Sequence, residues 1–94
     1  MVSVKVKLVG TTQKLGKQSF HVVFDEPVTI IGLVKELILN SSLNYIIDVD
    51  EENMTPKSNI LILVDGKDIS VLDGLNTILK DGESVTFIPV SHGG

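Results

Sequence analysis

Few residues in this sequence could do chemistry, and the most distinctive are its last two. Gly93 and Gly94 come shortly after an apolar, strand-like run, Val85-Thr86-Phe87-Ile88, with Pro89 between. Such an ending presents an α-carboxylate on a tail almost free of side chains. Glycine has no Cβ and adopts backbone conformations closed to other residues. A tail of this kind threads a channel too narrow for branched side chains. Linkers end in glycine too, so the meaning of the pair rests on what precedes it.

The other candidates read as ordinary. His21 and His92 are far apart and form no metal-ligand motif. His21 falls at an exposed position of an alternating segment. His92 either tunes the approach of a partner or is a solvated tail residue. Asp48, Asp50 and Glu52 alternate as calcium-loop ligands do, but Asn53 stands where the turn glycine belongs and no Glu closes the loop. A solvated acidic loop is the better reading. Asp65-Gly66 and Asp81-Gly82 are turn residues first. Asp73 has no acid or base at a recognisable spacing. With no Cys in the sequence, a disulfide framework, a thiolate metal site and a Cys nucleophile are all excluded. No nucleophile motif or phosphate loop is present.

Composition bounds the rest. Ninety-four residues make one domain. A chain this short buries somewhat over ~60% of its unfolded surface, enough for one modest core. Hydrophobic content of 43% argues against disorder. The formal net charge is −4 and every basic residue is Lys. Without a basic stripe or an Arg, direct nucleic-acid binding is not expected. An acidic domain suits a basic protein partner, although such a charge also serves solubility. Met1 leads straight into an alternating segment with no signal-peptide pattern. No apolar stretch approaches the ~20 residues of a membrane helix. The expected location is the cytoplasm, with no membrane partner.

Hydrophobic periodicity sets out the elements. Val2, Val4, Val6 and Leu8 alternate with Ser3, Lys5 and Lys7, which predicts a half-buried strand. Gly10 to Gly16 reads as a loop. Phe20, Val22 and Phe24 predict a second strand over roughly Ser19 to Asp25, paired with the first as a hairpin, and Pro27 ends the ladder. Thr29 can cap a helix, with Val28 stapled on Leu33. Ile30, Leu33, Val34, Leu37 and Ile38 form its apolar stripe, and Asn40-Ser41-Ser42 ends it. Gly32 weakens this helix by about 1 kcal/mol relative to Ala, or marks a close approach to the sheet. Leu43 to Asn59 is irregular. Tyr45-Ile46-Ile47 is a short strand or a buried anchor, Asp48 to Asn53 an acidic loop, and Pro56 discourages regular structure. Ile60 to Val64 predicts a central strand ending at Asp65-Gly66. Lys67 to Ile69 is a short return strand. Leu72, Leu75, Ile78 and Leu79 suggest a compact loop with a helical turn. Ser84 to Val90 is the last strand.

A hairpin, a crossing helix and then more strands predict an α+β fold, a mixed sheet with one main helix packed on one face. The crossover is long enough for the last strand to run parallel to the first. This element order is that of the β-grasp (ubiquitin-like) fold. The domain should span residues 1–90, with 91–94 as a flexible tail. In the last strand Val85 and Phe87 should face the helix, with Thr86, Ile88 and Val90 facing out. In the central strand Ile60, Ile62 and Val64 should be inside. Leu61, Leu63, Ile88 and Val90 would then make an outer apolar patch beside the tail, the kind of surface that marks a contact site. Extra core under the Leu43–Asn59 segment is the alternative. The patch resembles the hydrophobic recognition face of ubiquitin.

The segments Ile60 to Gly66, Leu72 to Leu79 and Lys80 to Ile88, with the terminal Gly-Gly, resemble the ubiquitin-like sulfur carriers. The likeness is to the ubiquitin-related modifiers and archaeal small modifier proteins, with the molybdopterin synthase small subunit close behind. The last 35 residues carry most of it. Ser91-His92-Gly93-Gly94 is similar to the Leu-His-Gly-Gly end of the modifiers, with Ser for Leu. Ile88-Pro89-Val90-Ser91 is similar to the Pro-Pro-Val-Ser run of the synthase subunits, with one Pro missing and a His inserted before the glycines. The Arg that precedes the two glycines of ubiquitin is absent.

The resemblance implies chemistry at Gly94, with Gly93 needed for access. An adenylating enzyme of the ubiquitin-activating type uses ATP to make an acyl-adenylate. A persulfide protein then supplies sulfur for a thiocarboxylate, or a substrate lysine attacks and an isopeptide bond forms. The protein is then a co-substrate and not a standalone enzyme, and it binds no cofactor itself. Further implied partners are a tRNA thiolation enzyme or the molybdopterin synthase large subunit, and a metalloprotease that reverses conjugation. Two alternatives stay open: the small subunit of molybdopterin synthase, and a ubiquitin-like binding module that is never activated.

Overall fold

The computed structural model describes residues 1–8, 19–40, 49–50, 55–56 and 60–89. β1 (Val2–Leu8) and β2 (Ser19–Phe24) pair antiparallel, Val2 opposite Phe24 and Val6 opposite Phe20. Period-two alternation of β-branched residues sends Val2, Val4, Val6 and Leu8 to one face, where all four are buried. β9 (Ser84–Pro89) lies along the other side of β1 and parallel to it, with Val6 beside Val85. β6 (Ile60–Val64) pairs antiparallel with β9, and β7 (Lys67–Asp68) with β6. The sheet order is β2-β1-β9-β6-β7. The predicted hairpin, parallel pairing and mixed sheet are therefore present.

The parallel pair requires a crossover, and α1 (Ile30–Asn40) supplies it. An isolated helix of this length is marginal in water, so its packing holds it. Ile30, Leu33, Val34 and Leu37 are buried against the sheet, together with Val85 and Phe87. The Ile38 side chain lies outside the described ones.

The start of α1 is fixed from two sides. The Gly32 N–H donates to Thr29 Oγ1 at 3.2 Å, so Thr29 is the N-cap. The Ile30 N–H donates to the Thr77 carbonyl at 3.0 Å. That bond comes from a ribbon the periodicity did not reveal: β3 (Val28–Thr29) paired antiparallel with β8 (Ile78–Leu79). Val28 packs against the core cluster that contains Leu33. The close approach suspected at Gly32 is to Val28 of this ribbon. A Cβ at Gly32 would stand 2.5 Å from Val28 Cγ2. Gly32→Ala should therefore lower stability by roughly 1–2 kcal/mol, overpacking exceeding the helix-propensity gain. Introduced into a Val28→Ala background, the same change should raise stability. Paired melting curves of the four proteins check the reversal of sign.

Two Asp-Gly turns join the elements. Asp65 (φ 48) and Gly66 (φ 85) form the two-residue loop between β6 and β7, a left-handed pair of the I′ type. Asp65 also exchanges two bonds with Ser84: its N–H donates to the Ser84 carbonyl and its Oδ1 accepts from the Ser84 N–H, both at 2.9 Å. Before β9, the Gly82 N–H donates to the Ser3 carbonyl at 2.8 Å, while Asp81 Oδ1 accepts from the Ser3 N–H at 2.7 Å. The loop expected around Leu72 to Leu79 contains one 3-10 turn, Gly74–Asn76, while Ile78–Leu79 form β8. A second 3-10 turn, Ile69–Val71, precedes it and takes Ile69 out of the expected return strand.

The reading of Asp48 to Asn53 as a plain loop, and of Pro56 as an obstacle to regular structure, needs correction. β4 (Val49–Asp50) pairs antiparallel with β5 (Thr55–Pro56), Pro56 opposite Val49. Proline lacks an N–H but is tolerated in a strand at a sheet edge. Gly10 to Gly16, Tyr45 to Ile47, Asp48, Glu52 and Asn53 lie outside the described residues.

Candidate functional site

Burial of Val85 and Phe87 beneath α1 forces Thr86 and Ile88 to the opposite face of β9. In β6, Ile62 and Val64 are buried and Ile60 packs against the core, so Leu61 and Leu63 share the outer face with Ile88. Leu61 stands directly opposite Ile88, and Leu63 opposite Thr86. Facing pairs of this kind bring Cβ atoms to about 5 Å. The three apolar side chains are half-buried and form one continuous patch.

The strand register adds a charged border that sequence reasoning missed. Thr86 is flanked by Leu63 on one side and Lys7 on the other, and Lys5 lies beside Ser84. His21 stands beside Lys5 and is exposed, as its alternation predicts. Asp68 faces Leu63 from β7. The patch is therefore bounded by Lys5 and Lys7 toward β1 and by Asp68 toward β7. The outward lysines are visible in the alternation of β1. Their place next to the patch depends on the parallel β1–β9 register, which alternation does not encode.

Four of the described carboxylates serve the backbone. Asp65 and Asp81 accept from Ser84 and Ser3, Asp68 from the Ser70 N–H at 2.9 Å, and Glu83 from the Lys80 N–H at 2.6 Å. Among the described residues no group of His, Cys, Asp and Glu is placed to hold a metal ion, and no helix is long and apolar enough to cross a membrane. Val90, His92, Gly93 and Gly94 lie outside the described residues. Within the structure, the chain leaves β9 at Pro89, one residue after the patch member Ile88.

A five-stranded mixed sheet crossed by one helix, with an apolar outer face on its last strand, defines a β-grasp, ubiquitin-like protein. The sequence matches the ThiS family over residues 6–94. The chain belongs to that family, the ubiquitin-like sulfur carriers and modifiers. It is 28% identical to ubiquitin-related modifier 1 of Saccharomyces cerevisiae (strain YJM789), with 100% of both chains covered. The solution structure of Urm1 from Trypanosoma brucei is 30% identical, with a TM-score of 0.77 over 98% of this chain and 95% of that one. The small archaeal modifier protein 1 from Methanosarcina acetivorans is 29% identical, with a TM-score of 0.75 over 100% of this chain and 98% of that one.

Proposed function

We propose that the chain is activated at Gly94 and carries sulfur or joins to lysines through that carboxylate. The observation that carries this reading is the family match, which runs through both glycines to residue 94. The full-length likeness to proteins named as modifiers supports it.

The chemistry is a sequence of displacements. A carboxylate resists nucleophiles because of its negative charge. When a Gly94 oxygen attacks the α-phosphorus of ATP, pyrophosphate leaves and the acyl-adenylate no longer has that charge on the carboxyl group. The terminal sulfur of a persulfide then displaces AMP, and a thiol reduces the resulting S–S bond to leave the thiocarboxylate. In the conjugating branch a lysine amine displaces the activated acyl group's leaving group, loses a proton and forms an isopeptide bond. The chain supplies no general base to any step. It acts as a protein co-substrate whose partner holds ATP.

The outer face serves as the docking surface in this scheme. Five residues follow Pro89. At full extension they reach about 18 Å, so an enzyme acting on Gly94 lies within reach of the Leu61, Leu63 and Ile88 patch.

The test is intact mass of the protein from its native host, with and without a thiol alkylator, followed by sequencing of the terminal peptide. Oxidation of Met1 or Met54 nearly matches the mass change of exchanging oxygen for sulfur. Alkylation separates the two because the sequence has no Cys. Alkylator on Gly94 is the expected result for a carrier, and Gly94 remnants on lysines of other proteins for a modifier. Finding neither in a host with an active adenylating enzyme would leave a binding module as the answer.

A further inference from the structure

The two edges of the sheet differ. β7 is two residues long and runs directly into a 3-10 turn. β2, at the opposite edge, is six residues long, and no described residue pairs with its outer side. Its sequence, Ser19 to Phe24, contains no Pro, Gly or Lys, although charged residues and Pro are common protection for an exposed edge.

The direction of its free backbone groups follows from its neighbours. The Lys5 N–H donates to the Glu83 carbonyl at 3.0 Å, and the Ser3 carbonyl accepts from Gly82. Ser3 and Lys5 thus turn their backbone groups toward β9. Val2, Val4 and Val6 turn theirs toward β2, where their partners Phe24, Val22 and Phe20 exchange bonds with them. By alternation, the N–H and C=O groups of Ser19, His21 and Val23 point away from the sheet. Side chains alternate too. Phe20, Val22 and Phe24 are half-buried on the helix side, while Val23 is 57% exposed on the other. Just past the strand, exposed Asp25 and Glu26 line an open cleft with Phe24, Pro27 and Val28.

We propose that β2 is a strand-addition site for an extended protein segment with apolar residues at alternate positions and a Lys or Arg at one end. The outward backbone groups supply the ladder, as in other strand-addition complexes. The row Phe20, Val22 and Phe24 selects apolar side chains on the helix side. Asp25 and Glu26 select the cation, in keeping with a chain of net charge −4. In the sheet order β1 lies between this edge and β9, the strand that carries Ile88, and a segment added beyond β2 in the plane of the sheet leaves the outer patch uncovered.

The test is an amide titration of the isotope-labelled full chain with two synthetic peptides, Lys-Val-Thr-Val-Ser-Val and the same peptide with Glu for Lys. The expected result is perturbation centred on the amides of Ser19, His21 and Val23, with the Lys peptide about tenfold tighter, a difference of ~1.4 kcal/mol. His21→Pro removes an outward donor without removing a β1–β2 bond and should abolish binding. Asp25→Lys with Glu26→Lys leaves the strand backbone intact and should reverse the peptide preference. Deletion of Gly93 and Gly94 should leave peptide binding unchanged, which separates this site from the reaction at the tail. No perturbation at those three amides with millimolar peptide, or an unreversed preference, overturns the proposal. Concentration-dependent shifts of the same amides without peptide would assign the edge to a second copy of the chain and also overturn it.

Discussion

Deletion of Gly93 and Gly94 should abolish adenylation while leaving the melting temperature unchanged. The truncated chain still ends in a carboxylate, now on His92, so a loss would not reflect absence of the functional group. It would reflect position and bulk. The carboxylate falls two residues short, and an imidazole enters a channel that the proposed function reserves for residues without side chains. A 1 Å misplacement of reacting groups already costs about 100-fold, so a shift of two residues should remove activity to below detection. Stability should be untouched because every buried hydrophobic residue among those described lies between Val2 and Phe87. ATP–pyrophosphate exchange catalysed by the adenylating enzyme measures the effect. Gly94→Ala isolates the role of bulk, since it keeps the length and adds one methyl group. Undiminished exchange with the truncated chain would remove Gly94 from the mechanism.

Charging the outer face should be the next largest effect. Leu61→Asp combined with Ile88→Asp places two carboxylates at one facing pair. Both side chains are half-buried, so the thermal transition should fall by only a few degrees, an effect on the order of 1 kcal/mol. Loss of the contact should be much larger. Apolar anchors at the centre of an interface contribute about 2–4 kcal/mol each when truncated. Adenylation efficiency should therefore fall at least about 100-fold, a difference of ~2.7 kcal/mol. Lys35→Ala, at an exposed position of α1, is the matched control and should change neither quantity. A folded double variant with normal adenylation would show that the enzyme does not dock on this face.

Much of the site was legible because it rests on alternation. Val85 and Phe87 inside require Thr86 and Ile88 outside, and Ile62 and Val64 inside require Leu61 and Leu63 outside. Each deduction uses a single strand. The lysine border was not legible, because it belongs to no single strand. Lys5 and Lys7 reach the patch only through the pairing of Lys5 with Ser84 and Lys7 with Thr86, positions separated by nearly the whole chain. The β3–β8 ribbon was missed for a different reason. Two residues are too few to show a period, and Val28–Thr29 already reads as the approach to a helix.

The sequence by itself determined the hairpin strands, the apolar stripe of α1, the two Asp-Gly turns, the cap at Thr29 and the absence of a thiol. These follow from local sterics and from periods of two and 3.6 residues. Tertiary structure alone decided where the Asp65 and Asp81 carboxylates find their amides, and which backbone groups of β2 point away from the sheet. Each depends on contacts between segments distant in sequence. The physical reason is that side-chain alternation fixes a strand's faces, whereas its neighbours and register are fixed only when the crossover closes and the shared core packs.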